Sequence, residues 1–134
     1  MSNGIQLDDN QSFRQWAEET LPWLNEAMHH VAEGFSGDIG DLLHRQEMYT
    51  GYAGRMVEIY AQAEAYLVSA RAEAMLKYKE KGISASLIAR SAEGDIKNEI
   101  RVYEAIHRFN STLSDQLMAI AARLKYEGSF RAGK

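Results

Sequence analysis

The chain contains no cysteine, which excludes disulfides, thiolate metal sites and thiol nucleophiles together and fits a reducing, cytoplasmic setting. It has one proline in 134 residues, Pro22, so the residue that most strongly breaks helices is almost missing. No run approaches the ~18 apolar residues of a membrane span, and the first residues lack the charged-then-apolar pattern of a secretory signal. Neither membrane insertion nor export is expected. No segment alternates apolar and polar residues with β-branched enrichment, which removes the pattern of a half-buried strand. There is also no glycine-rich phosphate loop, no zinc-type histidine spacing and no Ser-His-Asp order. Ser111 and Ser114 sit in a helical stretch without an evident base.

What is present favours one architecture. Hydrophobic residues make up 46% and charged residues 25%, with Ala, Leu, Glu, Lys and Arg plentiful, which predicts one all-α domain able to bury a core. The organising stretch is 95–127. Ile96, Tyr103, Leu117 and Leu124 share one heptad position with Asn110, and Ile106, Leu113 and Ile120 fill a second, so together they make one continuous stripe. At a rise of ~1.5 Å per residue this helix runs roughly 50 Å, far beyond the ~11 residues of an average helix, and needs an equally long partner. Residues 41–81 supply it. Leu42, Tyr49, Met56, Ala63 and Ala70 repeat every seven residues and are joined by Tyr60, Leu67 and Ala74. The expectation is a long antiparallel, coiled-coil-like helical hairpin.

Residues 8–33 should form an N-terminal helix or helix pair. Asp8 to Ser12 offer caps, Ser12 and Gln15 are spaced as a capping box, and Phe13, Trp16, Leu24, Met28 and Val31 make an inward stripe. Pro22 should kink this helix or end it, with Thr20 capping the restart. Gly34 and Gly82 read as stops. Gly51 and Gly54 cost about 1 kcal/mol each relative to alanine inside a helix, and imply a bend or the close approach of another backbone. A short corner helix is expected over 84–92. Gly94 and Asp95 should open the last helix and Gly128 should close it, leaving 128–134 as a mobile tail.

A flank of Met48, Tyr52, Ile59 and Tyr66 widens the apolar face of 41–81 beyond what one partner helix covers. The N-terminal helix or a second subunit must cover it, and because one kinked helix is short for the task, a homo-oligomer is expected to complete the bundle. Charge is uneven. Residues 1–41 hold eight acids (Asp8, Asp9, Glu18, Glu19, Glu26, Glu33, Asp38, Asp41) against Arg14 alone, a net −7, and with a total of −4 the rest of the chain carries +3. The acidic arm could lie along the more basic hairpin. The short basic cluster of Lys77, Lys79 and Lys81 beside Glu80 falls short of the concentrated basic face that neutralises phosphates, so nucleic acid is not the expected partner.

Three groups of residues could carry chemistry. Glu-x-x-His occurs twice, as Glu26/His29 and Glu104/His107, the spacing used by di-metal carboxylate bundles. The helical wheel turns Glu26 and His29 away from the apolar stripe and Glu104 away from the seam, so solvated faces are the better reading. Asn110 lies in the middle of the last seam, where a polar residue fixes register or oligomeric state; alternatively Tyr103, His107 and Asn110 line a polar pocket that a ligand or water completes. On the flank, Tyr52, Arg55 and Tyr66, with Arg45 and Arg71 near them, could stack on a base and hold phosphate, although helical aromatics are more often core or interface.

The second half of the chain resembles small helical proteins of tailed bacteriophages, often encoded in replication and recombination gene clusters. The residues that carry the likeness are Tyr66-Leu-Val-Ser-Ala-Arg71-Ala-Glu73, Ser84 to Ile88, Arg108-Phe-Asn110-Ser-Thr112-Leu113 and Leu124-Lys-Tyr126-Glu127. The resemblance implies a phage accessory protein without established catalytic residues; phage helical assemblies that sequester host immune nucleotides are a further analogy of bundle shape. The expected function is a non-enzymatic oligomeric protein that binds a partner or a small nucleotide-like ligand at a helical interface, through Arg45, Tyr52, Arg55, Tyr66, Arg71, Tyr103, His107 and Asn110, with no cofactor. The alternatives are an accessory factor for single-stranded DNA or recombination, and a di-metal protein built on the two Glu-x-x-His pairs.

Overall fold

Ser12 opens the first helix, as its spacing to Gln15 predicts. Its hydroxyl accepts the Gln15 amide at 3.2 Å, which satisfies one of the donors a helix start leaves free, and its carbonyl accepts the Trp16 amide at 2.9 Å, the first bond of the helix. The structure, a computed structural model, describes residues 12–132; the expected caps at 8–11 lie outside them. Four helices follow in order, α1 (Phe13–Ala32), α2 (Ile39–Glu80), α3 (Ala85–Asp95) and α4 (Lys97–Ala132), with no strand among the described residues. The all-α bundle expected from composition and heptads is what forms.

The breaks between helices have local causes. Gly34 and Gly82 take φ of +74° and +77°, the left-handed conformation that ends helices and that only glycine adopts cheaply. Asp38 caps α2 by accepting the Asp41 amide at 3.0 Å, and Asp41 in turn accepts the Ser36 amide at 2.9 Å, so the turn before α2 is tied at both ends. Ser84 precedes α3 with extended backbone angles and offers its carbonyl, not its hydroxyl, to the first turn.

Several expectations about the ends are corrected. Pro22 lies inside α1, which it does not divide, and Thr20 is buried in mid-helix instead of capping a restart. Pro22 is exposed on the helix. Gly94 and Asp95 close α3, and Ile96 alone separates it from α4. Gly128 does not stop α4, whose helix continues to Ala132, so most of the expected tail is helical; residues 133–134 lie outside the described residues. A Cβ at Gly51 or Gly54 would meet nothing within 4 Å, so neither glycine admits another backbone.

The structure divides into two compact units, each built from separated stretches. The first unit takes residues up to Ala17 with Glu58–His107; the second takes Glu18–Val57 with α4 from Arg108 onward. In the first, Leu67 and Ala74 of α2, Ala92 of α3 and Ile96 form a core, with Ala70, Tyr78, Ile100 and Tyr103 against it. Tyr66 packs on Phe13 and Trp16, with ring centroids 5.7 and 5.3 Å away, and Trp16 Nε1 donates to Gln62 at 2.9 Å. Tyr60 of α2 meets Tyr103 and His107 of α4, and Lys77 farther along α2 meets Asp95 at the end of α3, so α4 runs antiparallel to α2.

The second unit buries Leu24, Ala27 and Val31 of α1, Leu42, Tyr49 and Met56 of α2, and Phe109, Leu113 and Ile120 of α4. Met28, expected inside, is 37% exposed, and Ala27 takes the inward place. Of the two covers expected for the flank, the N-terminal helix meets its tyrosines: Tyr66 by the start of α1 in the first unit, Tyr52 by Trp23 and His30 in the second. Oligomerisation therefore has to be argued from another surface.

Candidate functional site

In the second unit the junction of α1 and α2 is closed by Arg45, which stands four residues after Asp41 and four before Tyr49, so all three face one side of a helix. Its Nε donates to Asp41 at 3.1 Å and its Nη1 to Tyr49 Oη at 3.2 Å, while Tyr49 Oη donates to the His30 carbonyl at 3.2 Å. Glu33 lies 3.9 Å from Nη2. The Ser36 amide, then Arg45, hold the Asp41 carboxyl below its usual range. The arrangement satisfies one of the orphan carbonyls at the end of α1 and spends the guanidinium internally. Arg45 is thus a clasp, not the phosphate donor expected from its position.

Tyr52 shares this junction. Its hydroxyl is 2.7 Å from His30 Nδ1, and its ring lies edge-on to Trp23. Burial, then Glu26, pushes its phenol above the ordinary value. Arg55 is exposed and lies over the Trp23 ring with Cζ 4.5 Å from the centroid, a cation–π contact. Of the expected Tyr-and-Arg set, Arg45, Tyr52 and Arg55 thus come together in the second unit, with Arg55 the one that presents its charge to solvent.

The other members lie in the first unit. Tyr66 is buried among Phe13 and Trp16, so its ring offers no free face to a base, and Arg71 is half-buried. Tyr103 and His107 do meet, through Tyr60, a residue not chosen for a site. Tyr103 donates to Tyr60 Oη at 3.2 Å, and Tyr60 Oη is 2.6 Å from His107 Nδ1. With its oxygen accepting from Tyr103, Tyr60 has its own hydrogen for the imidazole, so neutral His107 carries its proton on Nε2. The bond to Tyr60, then burial, pushes the Tyr103 phenol up to about 12. This chain of bonds fixes one α2–α4 contact, and heptad spacing four apart (Tyr103, His107) signalled half of it.

Asn110 belongs to the second unit and is exposed, not buried in the seam. The reason is helical drift: at 3.6 residues per turn a position repeated every seven residues moves ~20° per repeat. Ile106, Leu113 and Ile120 hold the centre, Leu117 and Leu124 fall to the edge, and Phe109 is buried on the side opposite Asn110. Asn110 instead lines an apolar groove of about 450 Å³ with Ala53 and Val57 of α2 and Leu113, Ser114, Leu117, Met118 and Ala121 of α4. Val57 is 70% and Met118 68% exposed. No charged side chain lines the groove. Val57 sits five residues after Tyr52, about 140° round the helix, so this is a different face of α2 from the one α1 covers. The signal was legible in principle, since Val57 and Met118 are apolar residues that neither seam uses.

The Glu-x-x-His pairs do not assemble. Glu26 and His29 are exposed in the second unit, where His29 lies 3.5 Å from Glu33, and Glu104 and His107 are exposed in the first. Among the described residues no three His, Asp or Glu side chains gather as metal ligands, and no helix is long and apolar enough to cross a membrane. The chain matches no protein-family model, no curated protein and no solved structure.

Proposed function

We propose that the chain is a non-enzymatic helical binding protein whose working surface is the groove between α2 and α4 in the second unit, and that this groove receives the apolar face of another helix. The observation that carries the reading is the pair Val57 and Met118, mostly exposed on either side of an uncharged trough floored by Leu113 and Leu117. A trough between two antiparallel helices is shaped for a third, which would place its side chains over Ala53 and Ala121. Exposed apolar residues standing together on one face mark interaction sites, whereas scattered ones need no explanation.

Support for a non-catalytic reading comes from where the reactive groups are spent. Arg45 and Tyr49 close a helix junction, and Tyr60 and His107 bond to each other. The same accounting favours a protein partner over a nucleotide-like ligand, because a phosphate would have to be held by Arg55 without Arg45 and without a free Tyr66 ring. In this reading the chain is an accessory protein, of the kind its likeness to small phage helical proteins implies.

The test is site-specific photocrosslinking of the full chain in bacterial cells, with a benzophenone amino acid replacing Val57, Met118 or, as control, Ala119, which is exposed on α4 but does not line the groove. Adducts from positions 57 and 118 that map by mass spectrometry to one amphipathic helical segment are expected. Adducts no stronger than those at 119 would remove the groove as a binding surface.

A further inference from the structure

We infer that Tyr60 is an activated phenol and a site of covalent modification by acyl-transfer reagents, with Tyr103 holding its oxygen and His107 receiving its proton. The site lies in the first unit, away from the groove and independent of it. Tyr103 donates to Tyr60 Oη at 3.2 Å, and Tyr60 Oη lies 2.6 Å from His107 Nδ1, in a part of the contact open to solvent. Nδ1 is thus within the ~2.6–3.2 Å over which a general base takes a proton directly. The bond from Tyr103 stabilises negative charge as it builds on the oxygen during attack. Tyr103 keeps that role, because the same bond pushes its own phenol up to about 12. These bonds occupy the Tyr60 hydrogen and one of its acceptor positions; a hydroxyl has a second, which is left to form a bond to carbon.

Charge selects the donor. Glu64, one turn after Tyr60, is felt by Tyr103, and Glu104 stands one turn before His107, so an anionic phosphoryl donor is repelled and a neutral acyl donor is not. In the step, Tyr60 Oη bonds to the acyl carbon, its proton passes to His107 Nδ1, and the leaving group departs with the electron pair of the broken bond. His107 is exposed and returns the proton to water. Acylation removes the hydrogen that Tyr60 shares with His107, so a modified chain loses that α2–α4 contact. Two other tyrosines give the contrast. Tyr52 also has an imidazole beside it, 2.7 Å away at His30 Nδ1, but burial and then Glu26 push its phenol above the ordinary value. Tyr126 is 59% exposed, with the Arg123 guanidinium near its ring, and so has access without a base.

The test treats the full chain at neutral pH with substoichiometric N-acetylimidazole, a neutral acyl donor, and maps acetylated tyrosines by mass spectrometry over time. Tyr60 should react roughly tenfold faster than either Tyr52 or Tyr126, a modest share of what a positioned base supplies. His107→Gln should slow Tyr60 at least about tenfold and Tyr103→Phe about threefold, with the Tyr126 rate and the circular dichroism spectrum unchanged. Each substitution removes a contact between α2 and α4, so mere unmasking of Tyr60 would speed its labelling, whereas loss of activation slows it. A wild-type Tyr60 no faster than Tyr126, or a Tyr60 rate that holds or rises in His107→Gln, overturns the inference. If His107→Gln does not fold, Tyr103→Phe decides in the same way, and the wild-type order of Tyr60 against Tyr126 needs no variant.

Discussion

Gln116 is the residue whose environment is least settled by its neighbours: its Oε1 is buried in the second unit with no hydrogen-bond partner among the described residues. A buried acceptor without a donor loses the bonds it had to water and gains none, at a cost of about 1–3 kcal/mol. Gln116→Leu keeps the volume and removes the stranded oxygen, so urea unfolding should show the variant more stable by about 1 kcal/mol at an unchanged m-value. A less stable variant would mean that Oε1 has a donor after all. Arg45 is the opposite case, with partners on Asp41, Tyr49 and the His30 carbonyl. Its spacing of four from Asp41 and from Tyr49 was visible in the chain, and read that way it predicts an internal clasp. The residue type alone suggested a phosphate ligand, because type tells what a side chain can bind and not what it has already bound.

At the scale of the helix, the sign of a glycine substitution follows from its backbone. Gly51 lies inside α2 with ordinary helical angles, and a methyl group there would meet nothing within 4 Å. Gly51→Ala should therefore stabilise by about 1 kcal/mol, through propensity and a less flexible unfolded chain. Gly34 also has open space around it but holds φ at +74°, where an L side chain costs about 1–2 kcal/mol, so Gly34→Ala should destabilise. Thermal melts of the two variants shifting in the same direction would contradict this. The heptads made the long helices legible: Leu42, Tyr49, Met56 and Ala63, and Ile106, Leu113 and Ile120, are all buried where the seven-residue ladder puts them. They did not reveal which flank of each ladder turns inward. That depends on where a third helix lies, which is why Phe109 went unmarked, Asn110 was placed in the seam, and the cover of the Tyr52 flank was left open between the N-terminal helix and another subunit. Pro22 and Gly94 both have a helix-breaking local preference, yet each lies inside a helix, α1 and α3 respectively.

For the molecule as a whole, the shifted groups set how stability depends on pH at both ends of the scale. Asp41 in the second unit and Asp95 in the first are both held below the ordinary 3.8, Asp41 chiefly by the Ser36 amide and Asp95 chiefly by Lys77, 2.8 Å away. A carboxyl whose pKa is depressed on folding adds stability that is complete above its unfolded value and is lost as pH falls through the folded one. The free energy of unfolding should thus decline as pH drops below 3.8. At the alkaline end the sign is reversed. Tyr103, whose bond to Tyr60 raises its phenol from 10.0 to about 12, is favoured neutral by the fold, so its contribution is whole below pH 10 and disappears as pH climbs toward 12. Tyr78, raised by its bond to Asp95, acts in the same direction. Urea midpoints measured down the acid limb should fall less steeply in an Asp41→Asn, Asp95→Asn double variant than in the wild type, and ultraviolet titration of the phenols should lose its latest-ionising component in Tyr103→Phe. Both carboxylates are open to solvent, so salt should flatten the acid limb. An acid limb equally steep with and without the two aspartates would mean that neither ties its helices together, and with that the account of how α2 is anchored at its two ends would fail.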